Sequence, residues 1–429
     1  MRFDEAVERL ERRQPEHMPE PSLDRIRAVS ALLDDPQLTY PTIHVTGTNG
    51  KTTIARAAAE LACAHGLTTG LFTSPHLHSV RERLSLCGEQ ISEEEFAEEW
   101  RHLEPFLDVI DDQGNGAATY FEAVTALAFL WFADKPVGLA VVEVGMGGSW
   151  DATNLVTGDV AVIGEVGLDH PELGSTIREV ATEKAGIVKP GKTVVVREQS
   201  DDALEVIQAR ADEVEATVLL EGRDWELATR VPAVGGQQFR VDGVHAAYND
   251  LFVPMFGEHA VLNVVAAMVA VESVLGHALD PDATRGAIEA LRIPGRLEVM
   301  SRSPLLVVDG AHNPGGAAAL ARTLAEAFTW NRMHVILAVS SNKDLDGVVA
   351  ALAPIADVWF AARNDNARSF PPEHVAERIA SAGGRVSDLG SVDEGLAWAR
   401  DAAVPDDLIL VTGSLYTVAD ARRALGGSA

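Results

Sequence analysis

The sequence predicts an α/β protein of two domains, each built on a parallel sheet covered by helices. Three observations lead there. Short apolar runs, such as 138–145 (GLAVVEVG) and 158–164 (GDVAVIG), alternate with longer helical stretches. The turns that follow these runs are rich in glycine and hold most of the unusual polar residues. At 429 residues the chain is also longer than one hydrophobic core usually serves.

Taken in order, residues 2–13 read as a short helix. The run PSLDRIRAVSALLDDP follows, with Leu23, Ile26, Val29 and Leu33 at helical spacing. Residues 42–53 (TIHVTGTNGKTT) organise the first domain. They open apolar at Ile43 and Val45, as a buried parallel strand requires, and turn through Gly47 and Gly50. Lys51-Thr52-Thr53 then heads the helical run IARAAAELACAHG. Strand, glycine turn and helix N-terminus together form an anion site, because the turn's N–H groups and the helix dipole point at phosphate oxygens. Lys51 can reach β/γ-phosphates, and a threonine hydroxyl is placed to meet Mg²⁺. Val45 stands where the longer phosphate-loop pattern has glycine, so this is a short G-x-x-G-K-T variant.

Residues 71–77 form a short strand ending in a polar turn. SEEEFAEEW opens a helix with Ser92 as N-cap and Glu95 completing a capping box. The stretch 114–136 is glycine-led, then strongly helical and apolar. The strand 138–145 ends in MGGSWDATN, and 158–164 ends in EVGLDH. A strand at 193–197 precedes a helix at 202–213. Residues 221–256, rich in glycine, valine and turn signals, read as a small antiparallel insertion. GEHAVLNVVAAMVAVESVLG is helical, and Pro294-Gly295-Arg296 breaks the pattern. Strands at 305–309, 335–340, 358–361 and 408–412 begin a second α/β series. The boundary falls near residues 295–302, giving domains 1–296 and 297–429. The first is phosphate-loop ATPase-like with helices on both faces of its sheet; the second is smaller and Rossmann-like.

Composition bounds the function classes. Asp+Glu number 64 against 35 Lys+Arg, a formal net charge of −29. Such a surface repels nucleic acid and anionic lipid, so neither is expected as a partner. Lysine is scarce and the acidic residues are dispersed, which suggests adaptation to high salt. No run reads as long and apolar enough to span a bilayer, and no apolar leader precedes Met1-Arg2-Phe3-Asp4. Cys63 and Cys87 are the two cysteines; they fit a reducing cytoplasm without a disulfide. A monomer located in the cytoplasm is the expectation.

Ligands of such sheets gather at the carboxyl ends of strands, where GTNGKT, TSPH, EVGMGG, GLDH, DGAHNP and TGSLY all fall. Glu143 interrupts an apolar strand, where an ionised side chain needs compensation. It reads as a Mg²⁺ ligand or as the partner of an arginine. His170 ends GLDH, either beside a metal or as a hydrogen-bonded structural histidine. Ser74 can supply a hydroxyl oxygen or cap its turn. Lys184, in EKAGIVKP, reads from residue type alone as an exposed helix lysine. Asp309 and His312 occupy the turn DGAHNPGG. A carboxylate there can bind ribose hydroxyls or begin an Asx-turn. Arg296 can reach a phosphate or form a surface ion pair.

The motifs HVTGTNGKTT, TSPHLHSVRERLSLCGEQIS, TYFEAVTALAF, EVGMGGSWDATN, GLDHPELGSTIREVATEKAGIVKPG, GEHAVLNVVAA, PGRLE, DGAHNP and VTGSLYTV occur in this order across nearly the whole chain. In them the sequence resembles the folylpolyglutamate synthase/dihydrofolate synthase family, relatives of the Mur ligases. The resemblance implies an ATP-dependent amide ligase. ATP phosphorylates a pteroate-type carboxylate, the amine of L-glutamate attacks the acyl phosphate, and ADP and phosphate leave. It assigns Thr48, Asn49, Gly50, Lys51, Thr52, Asn263, Arg296 and Asp309 to ATP. Ser74, Glu143 and His170 would hold Mg²⁺, with two ions implied. Thr119, Tyr120, Phe121 and Glu122, with Trp150, Asp151 and Ala152, would line the site for dihydropteroate or folate. His312 and Ser414 would face the glutamate, and Lys51, Glu143, His170, Lys184 and His312 form the implied catalytic set. Lys184 matches a lysine that the family carbamylates. Ser149-Trp150 replaces an Arg-Leu pair common in the family, which leaves the choice of dihydropteroate or glutamylated folate open. A Mur-type ligase acting on a cell-wall precursor is the alternative, favoured by GKTT and the hinge and opposed by GSWDATN and DGAHNP.

The salt adaptation is testable. Activity and thermal stability should both rise from low salt towards molar KCl as self-repulsion is screened. A flat or falling profile across that titration would identify an ordinary acidic protein.

Overall fold

The computed structural model describes residues 1–15, 22–112 and 116–426. Pro21, which opens the second helical run, and Gly114 and Asn115 of the glycine lead lie outside the described residues. The chain divides into two compact units. The first comprises Met1–Val231, Gln238–Pro254 and Leu262–Leu291; the second comprises Pro232–Gln237, Met255–Val261 and Arg292–Ala429.

In the first unit, strands β1 (Thr42–Thr46), β2 (Thr69–Phe72), β3 (Leu84–Leu86), β4 (Glu89–Gln90), β5 (Leu139–Glu143), β6 (Val160–Ile163), β7 (Thr193–Val196) and β8 (Thr217–Leu220) form one sheet. Its order is β4-β3-β2-β5-β1-β6-β7-β8. β1 runs parallel to β5 and β6 on its two sides, with Val45 beside Glu143 and Thr46 beside Ile163. Every residue of β1 is buried, which accounts for its apolar character. Its polar residues are hydrogen-bonded, with His44 Nδ1 the buried atom left without a partner. His44 Nε2 lies 2.9 Å from Thr153 Oγ1, and Thr46 Oγ1 donates to Gly147 O at 2.8 Å. The β2–β3 and β3–β4 pairs are antiparallel and finish one edge.

Helix Tyr120–Asp134 is apolar on all sides and buried almost throughout, as an all-round hydrophobic helix must be. Trp131, Phe129 and Phe132 join Trp100 and Phe96 of helix Glu93–Asp111 in one core cluster. A three-stranded sheet follows, β9 (Glu226–Ala233), β10 (Gly236–Asp242) and β11 (Ala247–Val253), in the order β11-β10-β9. Val234-Gly235 alone joins β9 to β10, and so short a connection requires antiparallel strands.

The second unit holds β12 (Glu298–Arg302), β13 (Leu305–Asp309), β14 (Met333–Leu337), β15 (Val358–Arg363), β16 (Val386–Ser391) and β17 (Leu408–Thr412). They lie in the order β12-β13-β17-β14-β15-β16. β12 is antiparallel to β13, and the remaining pairs are parallel. Two strands, β12 and β16, were not signalled by the sequence because their polar composition resembles a turn.

Two expectations are corrected. Helix Glu258–Leu275 is long and apolar enough to cross a membrane by length and composition. Its apolar character is explained by packing, since 67% of it is buried within the protein. The cysteines, expected to be free, are bonded: Cys63, in the last turn of helix Lys51–Ala64, and Cys87, in the turn after β3, have Cα atoms 5.7 Å apart. That separation falls within disulfide reach, and residue counting could not reveal it.

The bridge closes a loop with a sequence separation of 24. The Cys63→Ala/Cys87→Ala variant should therefore lose roughly 2–4 kcal/mol of stability. Denaturant unfolding with and without reductant should show the same loss in the wild type, and coincident midpoints would contradict it.

Candidate active site

The first unit's site starts where β1 ends. Gly47 and Gly50 both take positive φ, and Gly50, at +81°, caps helix Lys51–Ala64. A Cβ on Gly50 would stand 2.3 Å from Asn263 Nδ2. Glycine is required there both for its backbone angle and for the approach of Asn263. Asn263 is held in turn by Arg197, whose Nη1 donates to Asn263 Oδ1 at 2.7 Å; Arg197 Nε donates to Glu221 at 2.7 Å. Sequence reasoning missed Arg197, since it follows an unremarkable strand. Thr48 is tied to the next strand's turn, its N–H donating to Glu165 O and its hydroxyl to Gly167 O.

Glu143, at the end of β5, is 1% exposed. Thr52 Oγ1 donates to its Oε1 at 2.9 Å, and the Ser74 backbone N–H donates to its Oε2 at 3.2 Å. The structure thus brings together three residues that are far apart in the chain. Arg56, one turn further along the helix, adds positive charge. Burial lowers the affinity of its guanidinium for a proton, and the charges of Glu143, Glu82 and Glu60 oppose that. Glu143 thus has Arg56 as a charged neighbour, together with two hydrogen-bond donors.

Lys184 is not the exposed helix lysine that residue type suggests. It is 3% exposed, and its Nζ donates to Gly47 O at 2.8 Å. Lys51 Nζ donates to the same carbonyl at 3.1 Å. Burial pushes the Lys184 amine well below the usual lysine range, and the charge of Lys51 pushes it the same way; Asp169 and Asp151 oppose both. Asp169, its side chain 5% exposed, also lies 3.2 Å from His170 Nε2. Glu172 is 3.9 Å from His170 Nδ1. Asp169 is a second residue that strand-end position could have flagged, because it precedes His170 in GLDH.

The residues expected to meet a pterin substrate have clear local duties. Thr119 Oγ1 accepts from Glu122 N at 3.2 Å, and Thr119 N donates to Glu122 Oε2 at 2.8 Å, forming a capping box. Glu122 also pairs with Arg25 at 3.0 Å, with both side chains 6% exposed. Arg83 lies over the Tyr120 ring at 5.3 Å, and the Phe121 and Phe72 rings are 6.1 Å apart. Asp151 accepts from Met146 N and Thr153 N and starts the turn that contains Ala152. Burial pushes its carboxyl up, and these hydrogen bonds oppose the shift. Trp150 is half-buried within this turn. Ser149 hydrogen-bonds to Glu183, and Asn154 Nδ2 donates to Ser149 O and Gly186 O. The SWDATN turn is thereby pinned to the end of the helix that carries Lys184.

In the second unit, four residues gather at the carboxyl ends of the adjacent strands β13 and β17. Asp309 accepts from Leu297 N at 2.7 Å and Ala311 N at 2.8 Å. Burial raises its carboxyl, opposed first by Arg296 and then by the two N–H groups. His312 Nδ1 lies 2.8 Å from Gly310 O; a carbonyl only accepts, so that nitrogen carries the proton. Ser414 caps helix Leu415–Ala424 by accepting from Tyr416 N at 3.2 Å.

Residues 45–271 match the family model of the Mur ligase middle domain, and residues 295–415 match that of the Mur ligase glutamate ligase domain. The dihydrofolate synthase/folylpolyglutamate synthase of Mycobacterium tuberculosis is 39% identical over 450 residues, covering 97% of this chain and 92% of the relative. The protein of the same name from Bacillus subtilis is 32% identical over 413 residues, covering 94% and 95%. The structure of Mycobacterium tuberculosis folylpolyglutamate synthase complexed with ADP aligns with a TM-score of 0.94 at 38% identity, covering 99% of this chain and 98% of that one.

The Arg25–Glu122 pair can be tested apart from any ligand. Glu122→Gln leaves a buried guanidinium without its counter-charge, which should cost about 3–5 kcal/mol of unfolding free energy. Urea unfolding of the ligand-free variant measures this, and wild-type stability would show that the pair is not structural.

Proposed function

We infer the reaction from membership: this chain belongs to the folylpolyglutamate synthase/dihydrofolate synthase family, within the Mur ligases. It is an ATP-dependent ligase that joins L-glutamate to a pteroate or folate carboxylate through an acyl phosphate. The observation that carries this is the end-to-end relationship to the folate enzymes, which spans both units. A cell-wall precursor as substrate has in its favour only the GKTT loop and the hinge.

The carboxylate of the folate substrate attacks the γ-phosphorus and ADP leaves. The glutamate amine then attacks the acyl carbon, and phosphate leaves as the C–N bond forms. Such chemistry needs charge neutralisation and positioning more than covalent help. We assign Thr48, Asn49, Gly50, Lys51, Thr52 and Asn263, with Arg296 and Asp309, to ATP. The loop geometry around Gly50 supports this, as does the burial that holds Asp309 between two backbone donors. Ser74, Glu143 and His170 would hold Mg²⁺, as two ions, which when bound neutralises the phosphate oxygens. The buried Glu143 carboxylate, with a threonine hydroxyl directed at it, is the hard-oxygen chemistry such an ion requires.

Lys184 would act as a carbamate. Its neutral amine would add to CO₂ and release a proton, turning a buried amine into an anion; its burial beside Lys51 supports the neutral form. Thr119, Tyr120, Phe121, Glu122, Trp150, Asp151 and Ala152 would shape the pterin pocket through the turns they fix, and His312 and Ser414 would receive glutamate. Residues 1–296 then serve as the ATP-binding domain and residues 297–429 as the glutamate-ligase domain, within a monomer.

Protein incubated with ATP, Mg²⁺, L-glutamate and dihydropteroate should release ADP in step with product, and repeating the assay with a glutamylated folate distinguishes the two substrates. Absence of glutamate-dependent ADP release with both acceptors would sink the reading. Glu143→Gln should keep the fold and lower turnover on the order of a hundredfold or more. Lys184→Ala should cripple ligation while ATP binding is retained. Near-normal turnover in either variant would remove that residue from the machinery.

A further inference from the structure

Away from these residues, one cluster combines metal-ligand chemistry with an unsatisfied buried atom. Glu99 and His102 lie three positions apart on helix Glu93–Asp111, hence on one face. Asp134 ends helix Tyr120–Asp134, which packs beside it. One ligand atom from each residue lies within 4.8 Å of the other two. Glu99 is 7% exposed, and its Oε2 is buried without a hydrogen-bond partner. His102 and Asp134 are exposed, so the cluster opens to solvent.

The local electrostatics favour a cation. The neighbouring ammonium of Lys135 is engaged by Glu95, at 2.6 Å. Glu99 thus faces the carboxylate of Asp134 and shares the Lys135 charge with Glu95.

We propose that Glu99, His102 and Asp134 form a divalent transition-metal site that clips the two helices together. Two carboxylate oxygens and an imidazole nitrogen suit an ion of the Zn²⁺ or Mn²⁺ class; Mg²⁺ and Ca²⁺ prefer oxygen alone. Three protein ligands leave the remaining positions to water on the exposed side. The site shares no residue with the Ser74, Glu143 and His170 set. It braces the far end of the helix whose first turn contains Tyr120, Phe121 and Glu122.

The test is equilibrium dialysis of metal-free full-length protein against Zn²⁺ in excess Mg²⁺, with thermal unfolding measured in parallel. Wild type should bind one more equivalent of Zn²⁺ than either Glu99→Gln or His102→Ala. Its Tm should rise with Zn²⁺ more than theirs. His102→Ala alters an exposed side chain, and unfolding in chelator establishes that both variants fold. Equal stoichiometry and equal Tm shifts in the three proteins, or no Zn²⁺ bound by wild type, would overturn the site. Loss of the equivalent in His102→Ala but not in Glu99→Gln would do the same, because the buried carboxylate would then not be a ligand.

Discussion

The carbonyl oxygen of Gly47 fixes the charge arrangement of the first unit. Lys51 and Lys184 both donate to it, from the head of one helix and the end of another. Two ammonium groups so close repel by several kcal/mol even at the effective dielectric of a protein surface, on the order of 20. Burial of Lys184 resolves the conflict by favouring its neutral form, while Lys51 keeps its place at the helix head. Gly47 itself takes a φ of +152°, a backbone angle that glycine accepts at no steric cost. Phosphate loop, SWDATN turn and the helix carrying Lys184 are therefore one mechanical unit.

Much of this was legible because its causes are local. The strand, glycine turn and helix at 42–53 announce themselves through an apolar run, two glycines and a lysine at fixed spacing. Helix Tyr120–Asp134 is visible because it is apolar throughout. Lys184 was not legible, because its acceptor is 137 residues away and only the packed sheet brings them together. Arg197 was hidden for the same reason, since Asn263 lies 66 residues further along the chain. The Cys63–Cys87 bridge depends on a helix end meeting a hairpin turn, which composition cannot express. Glu122 and Asp151 illustrate a different limit. A family motif points to them as substrate residues, and the structure adds the cap and the turn that they build, which the motif alone does not express.

The second unit applies the same solution with different residues. Asp309 sits at a strand end, as Glu143 does, and is held by backbone N–H groups while an arginine supplies opposing charge. In each case a carboxylate at the end of a parallel strand is shielded from bulk water yet kept from isolation. Hydrogen bonds and a neighbouring arginine thus offset part of the cost of burying each carboxylate.

Buried and half-buried carboxylates elsewhere follow a consistent pattern. Glu82 receives N–H groups from Leu77, His78 and Ser79; Asp151 receives them from Met146 and Thr153; Glu122 has Arg25. Each anion is matched within a turn or across one helix pair. Glu99 departs from this pattern, with the one carboxylate oxygen among the described residues that is buried and unpartnered. In a chain with so large an acidic surplus, a solvated glutamate would carry no information. A buried one without a donor does, because every comparable group has been given one.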